Sequence, residues 1–515
     1  MQFFRHFSYR SFLTRAVMGI SALCLFASQG LSVSAAMIKE ENIARNQALA
    51  IQSNEVANWP TGPVVSAESA ILMDADTGAI LYAKNIHQQE YPASTTKILT
   101  TLIASERCSM DEIVDFSYDA VHDIDPGSNH IAIEPGEQLT MEECLNAILI
   151  RSANEVSFAV AEHISGTTWQ DFAPIMNERA KELGCVDSNF VNPNGLPNED
   201  HYTSAYDLAM IGRAFFANEA LCKMTMTHML HILPSERQPD DIMEVNKMEL
   251  IPGGKYAYPY LVGCKTGYTD VARSTLVSCA EKDGMKLICV VMKDENPNYY
   301  EDTIALFDYG FSNFQRVNIS QTETKYNIEN AGSFYSGNDI FGNSKPILEL
   351  NQTDSITLPN TITFQDAVSS ISYDNTEPGQ VAVITYTYND VALGTASLDF
   401  TAAEKGSSVF RENTAETTES AEESGTTDET QSGTTTTEAD NTETTETAGD
   451  NTGNNGGIPT VAQETSPEEE NSTSGGPAVI FINVVKVFFC IVGIAVLIFL
   501  SLIHISEPTR LRCIS

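Results

Sequence analysis

The sequence predicts a mixed α/β (α+β) catalytic domain, an antiparallel sheet flanked by helices, followed by a small all-β domain, a polar stalk and an apolar C-terminal helix. Three observations carry that expectation. Apolar residues at helical spacing follow Ser94 (Ile98, Leu99, Leu102, Ile103) and recur on both sides of Ser152. Two strand-like runs, Thr275 to Ala280 and Lys286 to Met292, are joined across Asp283-Gly284, a strong hairpin signal. From about Arg316 to Phe400 the cysteines vanish and short β-type segments dominate, such as Ile356 to Leu358 and Val381 to Tyr388.

The chain has 515 residues, long enough for more than one domain. Arg5, Arg10 and Arg15 precede an apolar run from Ala16 to Ala27, and small residues follow around Val33-Ser-Ala35. That pattern is a secretory signal over residues 1–36, with cleavage near Ala35 or Ala36 placing the mature chain outside the cytoplasmic membrane.

The catalytic domain, expected over 60–316, carries three short motifs in one order: Ser94-Thr-Thr-Lys97, Ser152-Ala-Asn154 and Lys265-Thr266-Gly267. The first is the only Ser-x-x-Lys in the chain and the third the only Lys-Thr-Gly. Pro92 biases Tyr91 toward extended backbone, so the helix that follows begins at about Ser94, where unpaired N–H groups favour developing negative charge. Lys97 lies three residues on, on the same helical face. A desolvated lysine near other cations loses its proton readily, and its neutral amine is the expected base for the Ser94 hydroxyl. An isolated Ser-x-x-Lys is more often an N-cap serine followed by a solvated lysine; the other two motifs weigh against that reading.

Thr140 and Glu143 read as a capping box that opens a helix ending near Arg151, and a second helical pattern resumes at about Glu155. Ser152 and Asn154 thereby fall on a short connection able to face a cleft. Ser152 is expected to relay a proton to a leaving amine, and Asn154 to hold a substrate amide and the lysine. Lys265, Thr266 and Gly267 belong on a strand beside the Asp283-Gly284 hairpin, where the first two suit a carboxylate and the glycine admits a substrate backbone. The N–H groups of Ser94 and Tyr268 are the candidate oxyanion hole. A solvated strand lysine is the competing reading of Lys265. A second Ser-x-Asn, Ser336 to Asn338, lies outside this context and has no assigned role.

These motifs resemble those of the low-molecular-mass penicillin-binding proteins, the serine D-alanyl-D-alanine carboxypeptidases, and the link between such a trio and those enzymes is general knowledge of the family. The resemblance extends to Ala70 to Tyr82, Phe190 to Leu196, His201 to Ala209 and Asp308 to Phe311, and covers about residues 60 to 316. It implies a penicillin-binding/β-lactamase-like transpeptidase fold, Ser94 as the acylated serine, Lys97 as base and Ser152 and Asn154 as the second active-site element. It further implies Lys265 and Thr266 as carboxylate binders and Tyr268 as an oxyanion N–H donor. The implied substrates are peptidoglycan stem peptides ending in D-Ala-D-Ala, the implied inhibitors are β-lactams, and no cofactor is required. Ala153 stands where class A β-lactamases carry aspartate, and no segment supplies their deacylation glutamate, which favours the carboxypeptidase. A β-lactamase or D,D-endopeptidase on the same scaffold, or an inactive surface-binding protein, are the alternatives.

Other candidates are weaker. Strand alternation points the Cys264 side chain away from Lys265, favouring a buried inert thiol over a reactive one. His201 is expected to be structural, because Ser/Lys chemistry needs no histidine base. His228 and His231 are spaced for one helical face but lack a third ligand, so no metal is expected. Seven cysteines in the catalytic domain, an odd number without dense spacing, read as mostly buried free thiols.

Residues 317–402 read as the small all-β domain, a spacer or docking surface without catalytic motif. Residues 403–477 read as a disordered stalk: between Glu412 and Gly476 lie sixteen acidic residues and no lysine or arginine. With a net charge of −40 the chain is not expected to bind nucleic acid. An apolar run over 478–503 is long enough to span the cytoplasmic membrane, at about 20 residues per span. Leu500 to Arg510 resembles an in-frame translation of a sequencing-library adapter, so residues 500–515 are expected to be foreign to the natural chain.

Overall fold

The computed structural model describes residues 37–326, 348–374, 377 and 379–400. The expected signal peptide, stalk, apolar C-terminal run, adapter-like tail and Ser336-x-Asn338 lie outside the described residues. Among the described residues no helix is long and apolar enough to cross a membrane.

Five antiparallel strands form the central sheet: β1 (Ser69–Asp74), β2 (Ile80–Lys84), β3 (Leu261–Thr269), β4 (Arg273–Lys282) and β5 (Met285–Asp294), in the order β2-β1-β5-β4-β3. β4 and β5 are the expected hairpin, and Asp283 and Gly284 both take positive φ (53° and 80°), as a two-residue primed turn requires. Alternation along β1 divides the core: Ile71 and Met73 join one buried cluster, Ala70 and Leu72 the other.

The first cluster holds the helices that position the site: α1 (Lys97–Arg107), α2 (Met141–Asn146), α3 (Asn154–Ser165) and α4 (Ala205–Ala217). α2 opens on the expected capping box, with Thr140 accepting from the Glu143 N–H and Glu143 accepting from the Thr140 N–H. The opposite face is covered by α5 (Asn298–Asn313), whose Leu306 and Phe307 are fully buried.

α5 runs into β6 (Phe314–Asn318), which pairs with β8 (Ser355–Pro359); β7 (Leu348–Leu350), β9 (Val368–Ser372), β10 (Gln380–Tyr388) and β11 (Val391–Phe400) make a second sheet in the order β7-β11-β10-β9. The expected boundary at 316–317 falls inside β6. Ile356, Ile384 and Tyr386 join the same buried cluster as Leu72 and Phe307, and Thr357 donates to Asp74 at 2.8 Å. These strands therefore share a core with the outer face of the central sheet.

The segment expected to present His228 and His231 on a helix is instead a ribbon, Met229–Ile232 paired with Ile242–Val245. Its alternating exposure (Met229 out, Leu230 in, His231 out, Ile232 in) has the two-residue period of a strand, and His231 pairs with Asp241 at 2.7 Å.

Candidate active site

Ser94 lies in a tight 3₁₀ turn (Ala93–Thr96) that leads into α1 at Lys97. Ala93 is held at φ +50°, a left-handed conformation that costs a residue with a Cβ of order 1–3 kcal/mol and persists only where packing enforces it. The packing comes from Gly195, itself at φ +83°, where a Cβ would stand 1.8 Å from the Ala93 carbonyl oxygen. Only a glycine lets that loop close over the turn.

Lys97 is fully buried, and its Nζ has three neighbours: Ser94 Oγ at 3.1 Å, Asn154 Oδ1 at 2.7 Å and the Asn194 carbonyl oxygen at 2.6 Å. A neutral amine has two N–H bonds and one lone pair. The two acceptors take the N–H bonds, and the lone pair is left facing the Ser94 hydroxyl. Burial, and then the nearby Lys265 cation, hold the Lys97 amine well below the usual lysine range.

Ser152 and Asn154 reach the same point from the other helix pair. After α2 the chain makes one wide π-helical turn (Ala147–Arg151), and Ser152 follows in left-handed conformation (φ 63°, ψ 37°); π turns of this kind cluster at functional sites. The kink ends one helix and starts α3 within two residues. Asn154 is thus the first residue of α3 rather than part of a loop.

Lys265 lies on β3, the edge strand of the sheet. Its Nζ donates to Ser152 Oγ at 3.1 Å and to the Thr266 carbonyl at 2.9 Å, so that among the described residues the third N–H of an ammonium has no acceptor. Burial pushes its pKa down to about 8. Gly267 packs against the Ser94 turn so closely that a Cβ would lie 2.9 Å from both Pro92 O and Ser94 N and 2.5 Å from Thr275 Oγ1. Thr266 is half-buried and the Tyr268 side chain is exposed. All eight residues singled out from the motifs except Lys97 line one cleft of about 810 Å³, and Lys97 sits directly beneath it, on Ser94.

Sequence reasoning passed over Asn194, Gly195 and Arg273. The first two lie in Phe190 to Leu196, a stretch noticed only as a resemblance, and they act through a backbone oxygen and a missing side chain. Arg273 lines the cleft and is clamped by Glu295 (Nε to Oε1 3.0 Å, Nη2 to Oε2 2.6 Å). His201 is buried and neutral: the Val191 N–H donates to its Nδ1, so Nε2 carries the proton toward Thr96 Oγ1 at 2.9 Å, and burial pushes its pKa down to about 3. It braces the Ser94 turn. Cys264 is buried, and burial raises its thiol to about 12. None of the seven cysteines between Cys108 and Cys289 is bonded to another.

A hydroxyl held on a buried neutral amine, beside a cation, is able to act as an activated nucleophile toward an acyl group that carries a negative charge. The family model for D-alanyl-D-alanine carboxypeptidases matches residues 56–296. Over 252 residues the chain is 37% identical to the D-alanyl-D-alanine carboxypeptidase DacF of Bacillus subtilis, covering 48% of this chain and 63% of that protein. It is 32% identical over 263 residues to DacB2 of Mycobacterium tuberculosis, covering 49% of this chain and 84% of that one. Among solved structures, penicillin binding protein 5 from Haemophilus influenzae shares the fold (TM-score 0.52, 23% identity, 66% of this chain and 98% of that one). The chain belongs to the D-alanyl-D-alanine carboxypeptidase family.

Proposed function

We propose that this chain removes the terminal D-alanine from peptidoglycan stem peptides ending in D-Ala-D-Ala. Ser94 Oγ attacks the carbonyl of the penultimate D-alanine as its proton passes to Lys97 Nζ. The Ser94 and Tyr268 N–H groups receive the oxyanion, and Lys265, with Thr266, receives the terminal carboxylate. The proton taken by Lys97 passes through Ser152, which donates its own to the departing amine and is reprotonated in turn, so that Lys97 is neutral again and Lys265 stays charged. Lys97 then accepts a proton from the water that hydrolyses the ester, and Ser94 regains its hydroxyl. The observation that carries this reading is the arrangement of Lys97 Nζ, with two acceptors to satisfy its N–H bonds and Ser94 Oγ on the remaining side.

β-Lactams acylate the same serine in this reading. The carboxylate lining the cleft among the described residues, Glu295, has both oxygens engaged by Arg273, which favours a long-lived penicilloyl adduct over β-lactamase turnover. The signal-like residues 1–36 and the apolar run 478–503 support export and tethering to the outer face of the cytoplasmic membrane, with 403–477 as the stalk and the β-rich residues as spacer or docking surface.

Incubation of the full chain with diacetyl-lysyl-D-alanyl-D-alanine is expected to release D-alanine, and Ser94→Ala to release none. Release that persists in Ser94→Ala contradicts the proposal.

The pH profile follows from the two lysines. Carboxylate binding needs charged Lys265, whose pKa of about 8 means the cation is lost as pH rises through that value. Proton abstraction needs neutral Lys97, so activity falls as pH drops through its depressed pKa. The kcat/KM for the tripeptide is therefore expected to decline above pH of about 8, approaching about tenfold per pH unit. Lys265→Arg, which cannot deprotonate in this range, is expected to abolish that alkaline limb.

A further inference from the structure

The two helices that carry the reacting groups start at the cleft and meet again at their far ends. α1 begins at Lys97 and is capped by Cys108; α3 begins at Asn154 and holds His163 in its last turn. At that far end Cys108 Sγ, a Glu112 carboxylate oxygen and a His163 ring nitrogen lie within 4.8 Å of one another. His163 Nε2 is 2.9 Å from Glu112 Oε2, and the other carboxylate oxygen accepts the Ser109 N–H at 2.7 Å. The carboxylate is thus held from behind with one oxygen turned toward the imidazole. All three side chains are reachable from solvent: Cys108 is half-buried, and the side chains of His163 and Glu112 are 25% and 42% exposed. None of them touches the Ser94 machinery.

One thiolate, one imidazole and one carboxylate make a borderline-soft donor set. Zn²⁺ binds such ligands tetrahedrally, with sulfur at about 2.3 Å and nitrogen or oxygen at about 2.0–2.1 Å, and three protein ligands leave the fourth position for water. Nitrogen and oxygen ligands on one tetrahedral ion stand roughly 3.3 Å apart, given those bond lengths. The 2.9 Å contact therefore has to open by a few tenths of an ångström, and Cys108 Sγ, within 4.8 Å of both other atoms, has to stand about 3.6 Å from each, adjustments that rotation of partly exposed side chains provides.

We propose that Cys108, Glu112 and His163 form a Zn²⁺ site, completed by water, that clamps together the far ends of the helices delivering Lys97 and Asn154. On binding, the Cys108 thiol gives its proton to solvent, sulfur becomes a ligand and the Glu112–His163 hydrogen bond is replaced by two bonds to the metal. The ion takes no part in the chemistry at Lys97, because the helix of eleven residues between Lys97 and Arg107 holds the site about 16 Å from the base at 1.5 Å per residue.

The test uses the purified full chain, freed of metal by chelation and titrated with ZnCl₂ against a chromophoric chelator and, in parallel, with CoCl₂. One Zn²⁺ per chain is expected, with a thiolate-to-cobalt charge-transfer band and a higher melting temperature at saturating Zn²⁺. Cys108→Ser is expected to remove the band. Cys108→Ser and His163→Ala should each weaken Zn²⁺ more than about 100-fold, beyond the loss of an outer-shell partner, whereas Cys185→Ser, at another partly exposed thiol, leaves binding intact. Glu112→Gln keeps the acceptor for the Ser109 N–H and serves if another variant fails to melt cooperatively. Absence of stoichiometric Zn²⁺ binding overturns the proposal. So does binding that survives in folded Cys108→Ser, His163→Ala and Glu112→Gln chains alike.

Discussion

Lys97→Met is expected to lower the rate at which penicillin acylates Ser94 by about two to four orders of magnitude, the range that a positioned general base supplies. Methionine keeps an unbranched side chain of similar length in a fully buried site, so the packing of α1 on α3 is retained while the amine is lost. Asn154 Oδ1 and the Asn194 carbonyl then lose their donor, and some stability is lost with them, about 1–3 kcal/mol for each group left unsatisfied. The chemical effect is separable from that cost. Lys97→Arg restores donors to both oxygens but cannot present a lone pair at neutral pH, and it is expected to be as slow as Lys97→Met. Stopped-flow acylation measured beside thermal melting distinguishes base from brace. Recovery of the wild-type rate in Lys97→Arg contradicts the role given to the amine.

Gly195→Ala is expected to slow acylation about 100-fold or more although residue 195 makes no chemical step. Its Cβ would lie 1.8 Å from Ala93 O and 2.8 Å from Thr96 Oγ1, at a φ of +83° that already strains any residue with a side chain. The loop must withdraw. It would then take the Asn194 carbonyl from Lys97 and release the left-handed Ala93 that aims Ser94, and a displacement of about 1 Å at a reacting group costs roughly 100-fold. Binding of substrate at Lys265 and Thr266, on the opposite wall, should change much less. A Gly195→Ala chain that keeps the wild-type acylation rate contradicts this account of how Ser94 is held.

What the sequence made legible was whatever is written in local spacing. The Thr140/Glu143 capping box, the Asp283-Gly284 turn and the apolar periods of α1 and α3 each involve residues within a few positions of one another, and they placed Ser94, Ser152 and Lys265 on the right kinds of element. The lysine at helical spacing from Ser94 and the serine before α3 follow from the same arithmetic. Asn194 did not, because its contribution is a main-chain oxygen presented from 97 positions away, and any residue type could supply one. Gly195 matters through a distance to Ala93 that exists only after folding. The His228/His231 pair misled for the converse reason: spacing of three suits a helix face, but the alternation of buried and exposed side chains around it belongs to a strand. Cys108 and Glu112 are close in sequence, yet His163 joins them only because α1 and α3 start at one cleft and run side by side.

Three stretches remote in the sequence converge on one hydroxyl, Ser94 Oγ, which is expected to be the group that is acylated. Mass spectrometry of peptides from the full chain after reaction with a fluorescent penicillin tests it most directly. A single adduct on the peptide containing Ser94, lost in Ser94→Ala, is the expected result; an intact chain that takes up no label, or carries it on any other residue, contradicts it.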